Sequence, residues 1–150
     1  MKTALDGGEV YSTDRFLAAL PKQDSQEHSE YILLATQSEK MDKLFPDNDK
    51  GQKLGCGVFY TFNSPCLKYC LNDKEEKNVL NFFFKYKGKI DGLVFSSVSG
   101  DAKDPKEFTK EAELAFKKLN DIIPLYRCPT KKNSECFKCY SEGVLNKVCK

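Results

Sequence analysis

The amino-acid sequence predicts an α/β fold in which strands and helices alternate within a single domain over residues 1–150. Two stretches dense in β-branched and aromatic residues, CGVFYTFNS and KIDGLVFSSVSG, predict strands, and helical patterns separate and follow them. Alternation of this kind favours a sandwich whose sheet is at least partly parallel, with right-handed crossovers. A chain of 150 residues is also long enough to bury a core of its own.

The N-terminal third predicts a strand or hairpin followed by a helix. In GEVYSTDRFLAALPK, aromatic and aliphatic residues alternate with turn formers, as in short strands. In DSQEHSEYILLATQSEKMDKLF, apolar residues recur at helical spacing behind a polar cap, so we expect a helix that starts at or just before His28. The charges and turn formers of PDNDKGQKLG indicate a loop.

The middle of the chain predicts a buried strand and then a helix. CGVFYTFNS should be the buried strand, ending before Pro65. Ser64 is a good N-cap and proline is favoured at the first helical position, so a helix is predicted from Pro65. The polar NDKEEK should interrupt this helix, and NVLNFFFKYKG should resume it, with the run Phe82-Phe83-Phe84 in the core.

The last third predicts strand, helix and strand before a cysteine-rich tail. KIDGLVFSSVSG is a second buried strand, DPKEFTKEAELAFKKLNDI is an amphipathic helix with Phe108 and Phe116 on one side, and IPLYRC is a short strand. The tail occupies residues 128–150.

The charge and hydropathy of the chain exclude few classes of binding partner. The chain has 24 basic and 22 acidic side chains, a net charge of +2, and a total of that size neither requires nor excludes a polyanionic partner. No apolar run reaches the roughly 18 to 20 residues that span a bilayer, so we expect no membrane partner. The stretch MKTALDGGEV lacks the apolar segment of a secretory signal, so the signal of an exported protein would have been removed.

Seven cysteines are many for a reduced compartment. Cys128, Cys136, Cys139 and Cys149 crowd the tail, and disulfides are favoured there over a metal knot because the spacing is not that of a zinc ribbon. Their connectivity stays open. Cys56 is either a core thiol or a disulfide partner for the tail, and the odd total leaves at least one thiol outside any disulfide set.

Four residues form the candidate site. On a helix starting at Pro65, Cys66 and Cys70 would lie on one face near an N-terminus, at a spacing that lets two thiolates share an ion. His28 would add a nitrogen ligand, and three protein ligands leave the fourth position of Zn²⁺ open, as in catalytic sites. Glu30 would then carry protons. Taken singly, these residues are more often structural, but together they favour a catalytic zinc site.

Two motifs carry a family resemblance. HSE (residues 28–30) and SPCLKYC (residues 64–70) resemble the histidine-x-glutamate and proline-cysteine motifs of the zinc-dependent cytidine deaminase superfamily. Within it, the serine-proline-cysteine loop resembles that of the AID/APOBEC nucleic-acid deaminases. The extra cysteines are similar to those of the secreted AID/APOBEC-like deaminases of vertebrates.

This resemblance implies a cytidine deaminase-like three-layer α/β/α sandwich with a central mixed five-stranded sheet, and a tail outside the shared core. By position it implies that His28, Cys66 and Cys70 bind zinc and that Glu30 moves protons. The implied contacts to the base come from Ser29, Ser64 and Asn63.

The resemblance also implies an activity and a location. We expect hydrolytic deamination of cytosine to uracil in single-stranded DNA, with RNA the less favoured substrate. The protein is expected to be a secreted monomer with an immune role, and a cytoplasmic or nuclear location is less favoured. Asn63 stands where relatives carry tryptophan, and Ser96, Ser97 and Ser99 stand where relatives place stacking aromatics. These departures predict either weaker binding of single strands or an altered preference for the flanking bases. The alternatives are a deaminase of free nucleosides and a non-catalytic secreted zinc-binding module that binds a partner.

Overall fold

The computed structural model describes residues 1–22, 27–46, 55–99, 110–131 and 134–150. These fall into two compact units, Met1–Gly55 and Cys56–Lys150. The structure is mixed α/β, consistent with a deaminase-like fold. The assignment of residues 1–150 to one domain stays a prediction.

The first unit opens with a short helix, α1 (Lys2–Asp6), and a hairpin of two short strands, β1 (Tyr11–Ser12) and β2 (Leu17–Ala18). The strands pair antiparallel, with Tyr11 opposite Ala18, and the Thr13 N–H donates to the Phe16 carbonyl at 2.8 Å to close the turn. Of the two alternatives predicted for this segment, one strand or a hairpin, the structure shows the hairpin.

A helical segment completes the first unit. It runs as α2 (Ser29–Tyr31), a π-helical stretch (Ile32–Thr36) and α3 (Ser38–Leu44), so the helix begins one residue after His28. The aliphatic run of the π-helical stretch is buried. The predicted loop PDNDKGQKLG lies mostly outside the described residues.

A mixed sheet forms the second unit. Its strands, in spatial order, are β3 (Val58–Asn63), β4 (Gly92–Ser97), β5 (Leu125–Arg127) and β6 (Phe137–Lys138). The first three run parallel and β6 runs antiparallel to β5. Among the described residues this sheet has four strands, so the expectation of five is wrong: β1 and β2 pair with each other in a separate sheet.

Two helices, α4 (Leu80–Lys85) and α5 (Lys110–Ile122), pack on one face of this sheet. The Phe59 and Phe83 rings meet edge to face with centroids 5.1 Å apart, and the Phe95 and Phe116 centroids are 6.3 Å apart. The start of the predicted last helix, with Phe108, lies outside the described residues. In the described part of the chain, no helix is long and apolar enough to cross a membrane.

Two predictions of burial are wrong in part. Of the three consecutive phenylalanines, Phe83 is fully buried but Phe84 is 62% exposed, because only one side of a short helix faces the sheet. Along β3, Phe59 and Thr61 are buried, whereas Val58, Tyr60 and Phe62 are exposed. Alternate strand residues point to opposite faces, and helices α4 and α5 cover one of them.

The cysteine-rich tail is part of the folded second unit, and its lying outside the core shared with the family stays a prediction. It supplies β6, then the hairpin of β7 (Tyr140–Ser141) and β8 (Val144–Leu145), and a 3₁₀ turn (Lys147–Cys149). Backbone hydrogen bonds join the tail to the sheet, and in one of them the Cys139 N–H donates to the Leu125 carbonyl at 2.8 Å.

The predicted tail disulfides are present, and the structure pairs Cys128 with Cys136 and Cys139 with Cys149. Both members of the second pair are fully buried. Cys56 is exposed and lies outside these pairs, so neither interpretation of it from the sequence holds.

The tail contact of Tyr140 should make stability depend on pH. Its hydroxyl donates to Glu113 O at 3.0 Å, and burial, then the charges of Glu113 and Asp121, raise its pKa from 10.0 to about 12. A raised pKa means that the folded state holds the phenol proton more tightly, so stability is full below pH 10 and falls as pH rises towards 12. At pH 11 we expect a loss of about 1 kcal/mol in the free energy of unfolding.

Urea unfolding at pH 8 and pH 11 measures this loss. Tyr140→Phe has no phenol proton and should show a loss smaller by that amount. An equal loss in both proteins would contradict the assignment.

Candidate metal centre

The two candidate cysteine ligands lie in a tight turn after β3. Both are buried, their sulfurs are 3.3 Å apart, and the Cys70 N–H donates to the Cys66 Sγ at 3.3 Å. The Leu71 N–H donates to the Cys66 carbonyl at 3.0 Å. This bond joins residues five apart, whereas the hydrogen bonds of an α-helix join residues four apart. The predicted helix at Pro65 is therefore wrong, although the turn still brings the two sulfurs together.

Hydrogen bonds fix this turn to the carboxyl end of β4. The Ser64 N–H donates to Ser97 O at 2.7 Å, and the Ser64 Oγ accepts from the Ser99 N–H at 2.9 Å. Ser64 therefore bridges two chain segments instead of capping a helix. On the far side of the turn, the Val79 N–H donates to Cys70 O at 2.8 Å. The turn lies at the carboxyl ends of parallel strands, where α/β folds place their ligands.

The other residues predicted near the base lie at the ends of these strands. Asn63 is the last residue of β3, exposed and in register with Ser97 of β4. Ser96 and Ser97 belong to β4 itself, and Ser96 is buried, so they do not form the loop that the sequence suggested.

In the first unit, the HSE motif lies at the start of α2. His28 is the N-cap, in an extended conformation, and its carbonyl accepts from the Ile32 N–H at 3.1 Å. Glu30 is only 4% exposed, and the Ser29 hydroxyl donates to its Oε2 at 3.2 Å. This contact, which neighbouring sequence positions alone could not reveal, holds one oxygen of the carboxylate.

The structure brings three of the predicted residues within reach of one ion. One ligand atom from each of His28, Cys66 and Cys70 lies within 4.8 Å of the other two. In a tetrahedral site with metal–sulfur bonds of about 2.3 Å, two sulfurs stand about 3.8 Å apart, so the observed 3.3 Å fits after a small adjustment. Two sulfurs and an imidazole nitrogen are donors typical of zinc and other soft or borderline metals.

Comparison with known proteins decides the family. The family model described as Secreted Novel AID/APOBEC-like Deaminase 1 matches residues 1–149. The chain belongs to this family. The resemblance predicted from the HSE and SPCLKYC motifs is thereby confirmed. No curated protein and no solved structure matches the chain.

The secreted location of this Secreted Novel AID/APOBEC-like Deaminase 1 member is confirmed as well. The family is named as secreted, and the two disulfides are of a kind that persists in oxidising compartments.

Proposed function

We propose that this protein is a zinc-dependent hydrolase that deaminates cytosine to uracil in single-stranded nucleic acid, with DNA favoured over RNA. The observation that carries the proposal is the convergence of His28, Cys66 and Cys70 within 4.8 Å of one another, next in sequence to a buried carboxylate at Glu30. Membership of an AID/APOBEC-like deaminase family supports the same reaction.

The donor set suits zinc in an open site. Three protein ligands leave the fourth tetrahedral position for water, whereas closed structural sites use four. When bound there, zinc supplies a water molecule that is activated for attack at neutral pH. Hydrolytic removal of the amino group from cytosine requires such a water.

Glu30 carries the protons. Its carboxylate passes the two protons of the attacking water, one after the other, to N3 of cytosine and to the amino nitrogen at C4, so that the water oxygen bonds to C4, the carbon–nitrogen bond breaks and ammonia leaves. Because Glu30 is buried, bulk water has little access to its carboxylate and competes little for the proton. The Ser29 hydroxyl donates a hydrogen bond to its Oε2. A proton carrier works best in one fixed position, so we assign Ser29 a positioning role.

The base is held by groups at the two motifs. We propose that the Ser29 backbone N–H and the Ser64 carbonyl form hydrogen bonds with the edge of the cytosine base. The exposed Asn63 would lie at the entrance of the base-binding site. Ser64 is rigidly placed by its bonds to Ser97 and Ser99, which suits a group that must discriminate one base. A secreted monomer suffices for this chemistry.

The test measures zinc content and uracil formation on the oxidised protein. We expect one zinc per chain and conversion of cytosine in a mixed-context single-stranded DNA, with slower conversion of the matched RNA. Cys70→Ser should lose both zinc and conversion. Cys56→Ser, which changes an exposed cysteine outside the ligand set, should lose neither.

Other outcomes would assign a different function. Conversion of free cytidine alone would make the protein a nucleoside deaminase. Zinc bound stoichiometrically with no conversion of any substrate would make it a non-catalytic binding module.

A further inference from the structure

The sheet of the second unit has one face covered by α4 and α5 and a second face that carries exposed aromatic side chains. On that second face, Tyr60 is 54% exposed and Phe62 is 58% exposed, and both lie on β3 beside the exposed Val58. Burying an aromatic ring is a main source of folding stability, so a pair of rings left exposed on one rigid strand suggests a binding surface.

Strand register shows which residues share this face. Tyr60 is opposite Val94 of β4, Val94 is opposite Tyr126 of β5, and Tyr126 is opposite Lys138 of β6. These four residues form one row across the sheet, and the exposed Lys138 gives it a positive end. Val58, Gly92, Phe62 and Ser96 complete the face on β3 and β4, and none of its residues is acidic.

Close contacts restrain two of the aromatic rings on this face. An added Cβ at Gly92 would lie 3.0 Å from the Tyr126 ring, so the absence of a side chain there lets the ring lie against the strand. The Tyr60 hydroxyl lies 3.0 Å from the Ser96 Oγ, which restrains its ring as well. A restrained ring loses little entropy when a planar ligand stacks on it.

We propose that this face, formed by Tyr60, Phe62, Tyr126 and Lys138, binds single-stranded nucleic acid by stacking bases on Tyr60 and Phe62. Residues two apart on a strand are separated by about 6.6 to 6.8 Å. That spacing is about twice the 3.4 Å between stacked bases of a duplex strand, so each ring takes a separate unstacked base. Sheet aromatics bind single strands in this way in other folds, and Lys138 attracts the phosphate backbone.

The surface also leads towards the candidate metal centre. Phe62 is followed directly by Asn63, Ser64 and the cysteine turn, so a strand laid along β3 runs to the carboxyl end of the sheet where that turn lies. The inference rests on the proposed function in one respect: it names a polymer, rather than a nucleoside, as the substrate class of that site.

A second copy of the chain fits this face less well. A stable protein interface buries about 800 Å² on each partner. The exposed large apolar side chains of this face, Val58, Tyr60 and Phe62, provide far less area than that.

The experiment measures binding of a fluorescently labelled single-stranded DNA by anisotropy, with all proteins carrying Glu30→Gln so that no turnover occurs. We expect Tyr60→Leu and Phe62→Leu each to weaken binding about tenfold. Tyr60→Phe, which keeps the ring and loses only the hydroxyl contact to Ser96, should bind much more tightly than Tyr60→Leu. The matched control is Phe84→Leu, since Phe84 is 62% exposed but lies on α4 at the other face.

Salt dependence and strandedness give two further readouts. Lys138→Ala should reduce the slope of log affinity against log salt by about 0.7, the value for one phosphate contact on a single strand. A duplex of the same sequence should bind more weakly than the single strand, because its base faces are already stacked.

The inference is overturned if the two ring variants bind as tightly as the parent, if Phe84→Leu weakens binding equally, or if the duplex binds as well. A parent protein that is dimeric by light scattering and becomes monomeric in Phe62→Leu would also overturn it, in favour of self-association. Circular dichroism checks that each variant is folded.

Deamination of free cytidine by proteins with Glu30 intact separates this inference from the proposed function. If cytidine is deaminated and the ring variants do not alter DNA binding, the stacking surface alone is refuted. If no substrate is deaminated but DNA binding still requires the two rings, the proposed reaction is refuted and the surface stands.

Discussion

Replacing Glu30 with glutamine should reduce cytosine deamination by about a hundredfold to ten-thousandfold while zinc stays bound. Glutamine has nearly the same shape and its amide oxygen can still accept from the Ser29 hydroxyl, so the site keeps its geometry. It cannot take up a proton and return it, and general acid–base catalysis contributes about 10² to 10⁴ in rate.

The measurement is uracil formation in single-stranded DNA, with zinc content determined on the same samples. Glu39→Gln is the matched control, because Glu39 is an exposed glutamate in the first turn of α3 and should not affect conversion. An unchanged rate in Glu30→Gln would exclude Glu30 as the proton carrier. Loss of zinc together with activity would instead assign Glu30 a role in holding the metal.

Removing the disulfide between Cys139 and Cys149 should lower the free energy of unfolding by about 3 to 4 kcal/mol. The bond closes a loop with a sequence separation of 10, for which the lost chain entropy of the unfolded state contributes about 2.5 kcal/mol. Both cysteines are 0% exposed, so alanines leave small voids that add about 1 kcal/mol.

Urea unfolding followed by circular dichroism measures the effect in Cys139→Ala/Cys149→Ala. The control is Cys128→Ala/Cys136→Ala, which removes a bond of similar separation, 8 residues, whose Cys136 end is exposed. We expect it to cost about 2 to 3 kcal/mol, since little packing is lost. A larger loss for the control pair would show that the tail is not anchored through its buried bond.

Much of the fold is predictable because its signals are local. The apolar run of β4, the helical period of α5 and the turn formers of the N-terminal hairpin each depend on residues a few positions apart, and all three elements are observed. The candidate metal ligands are predictable for a different reason. Zinc restricts which residue types can bind it and how they are spaced, so His28, Cys66 and Cys70 stand out even though the helix expected around the cysteines is a turn.

By itself, then, the sequence determined the family, the alternation of strands and helices, and the candidate ligand set, since each of these depends on short motifs and periods. Only the tertiary structure decided that the tail forms β6, that Cys128 pairs with Cys136 and Cys139 with Cys149, and that one side of β3 is exposed. A two-residue strand has no period, and cysteine pairing depends on distances between remote segments. Aromatic residues on both sides of β3 predict burial on both, yet α4 and α5 cover only one side, which leaves Tyr60 and Phe62 exposed.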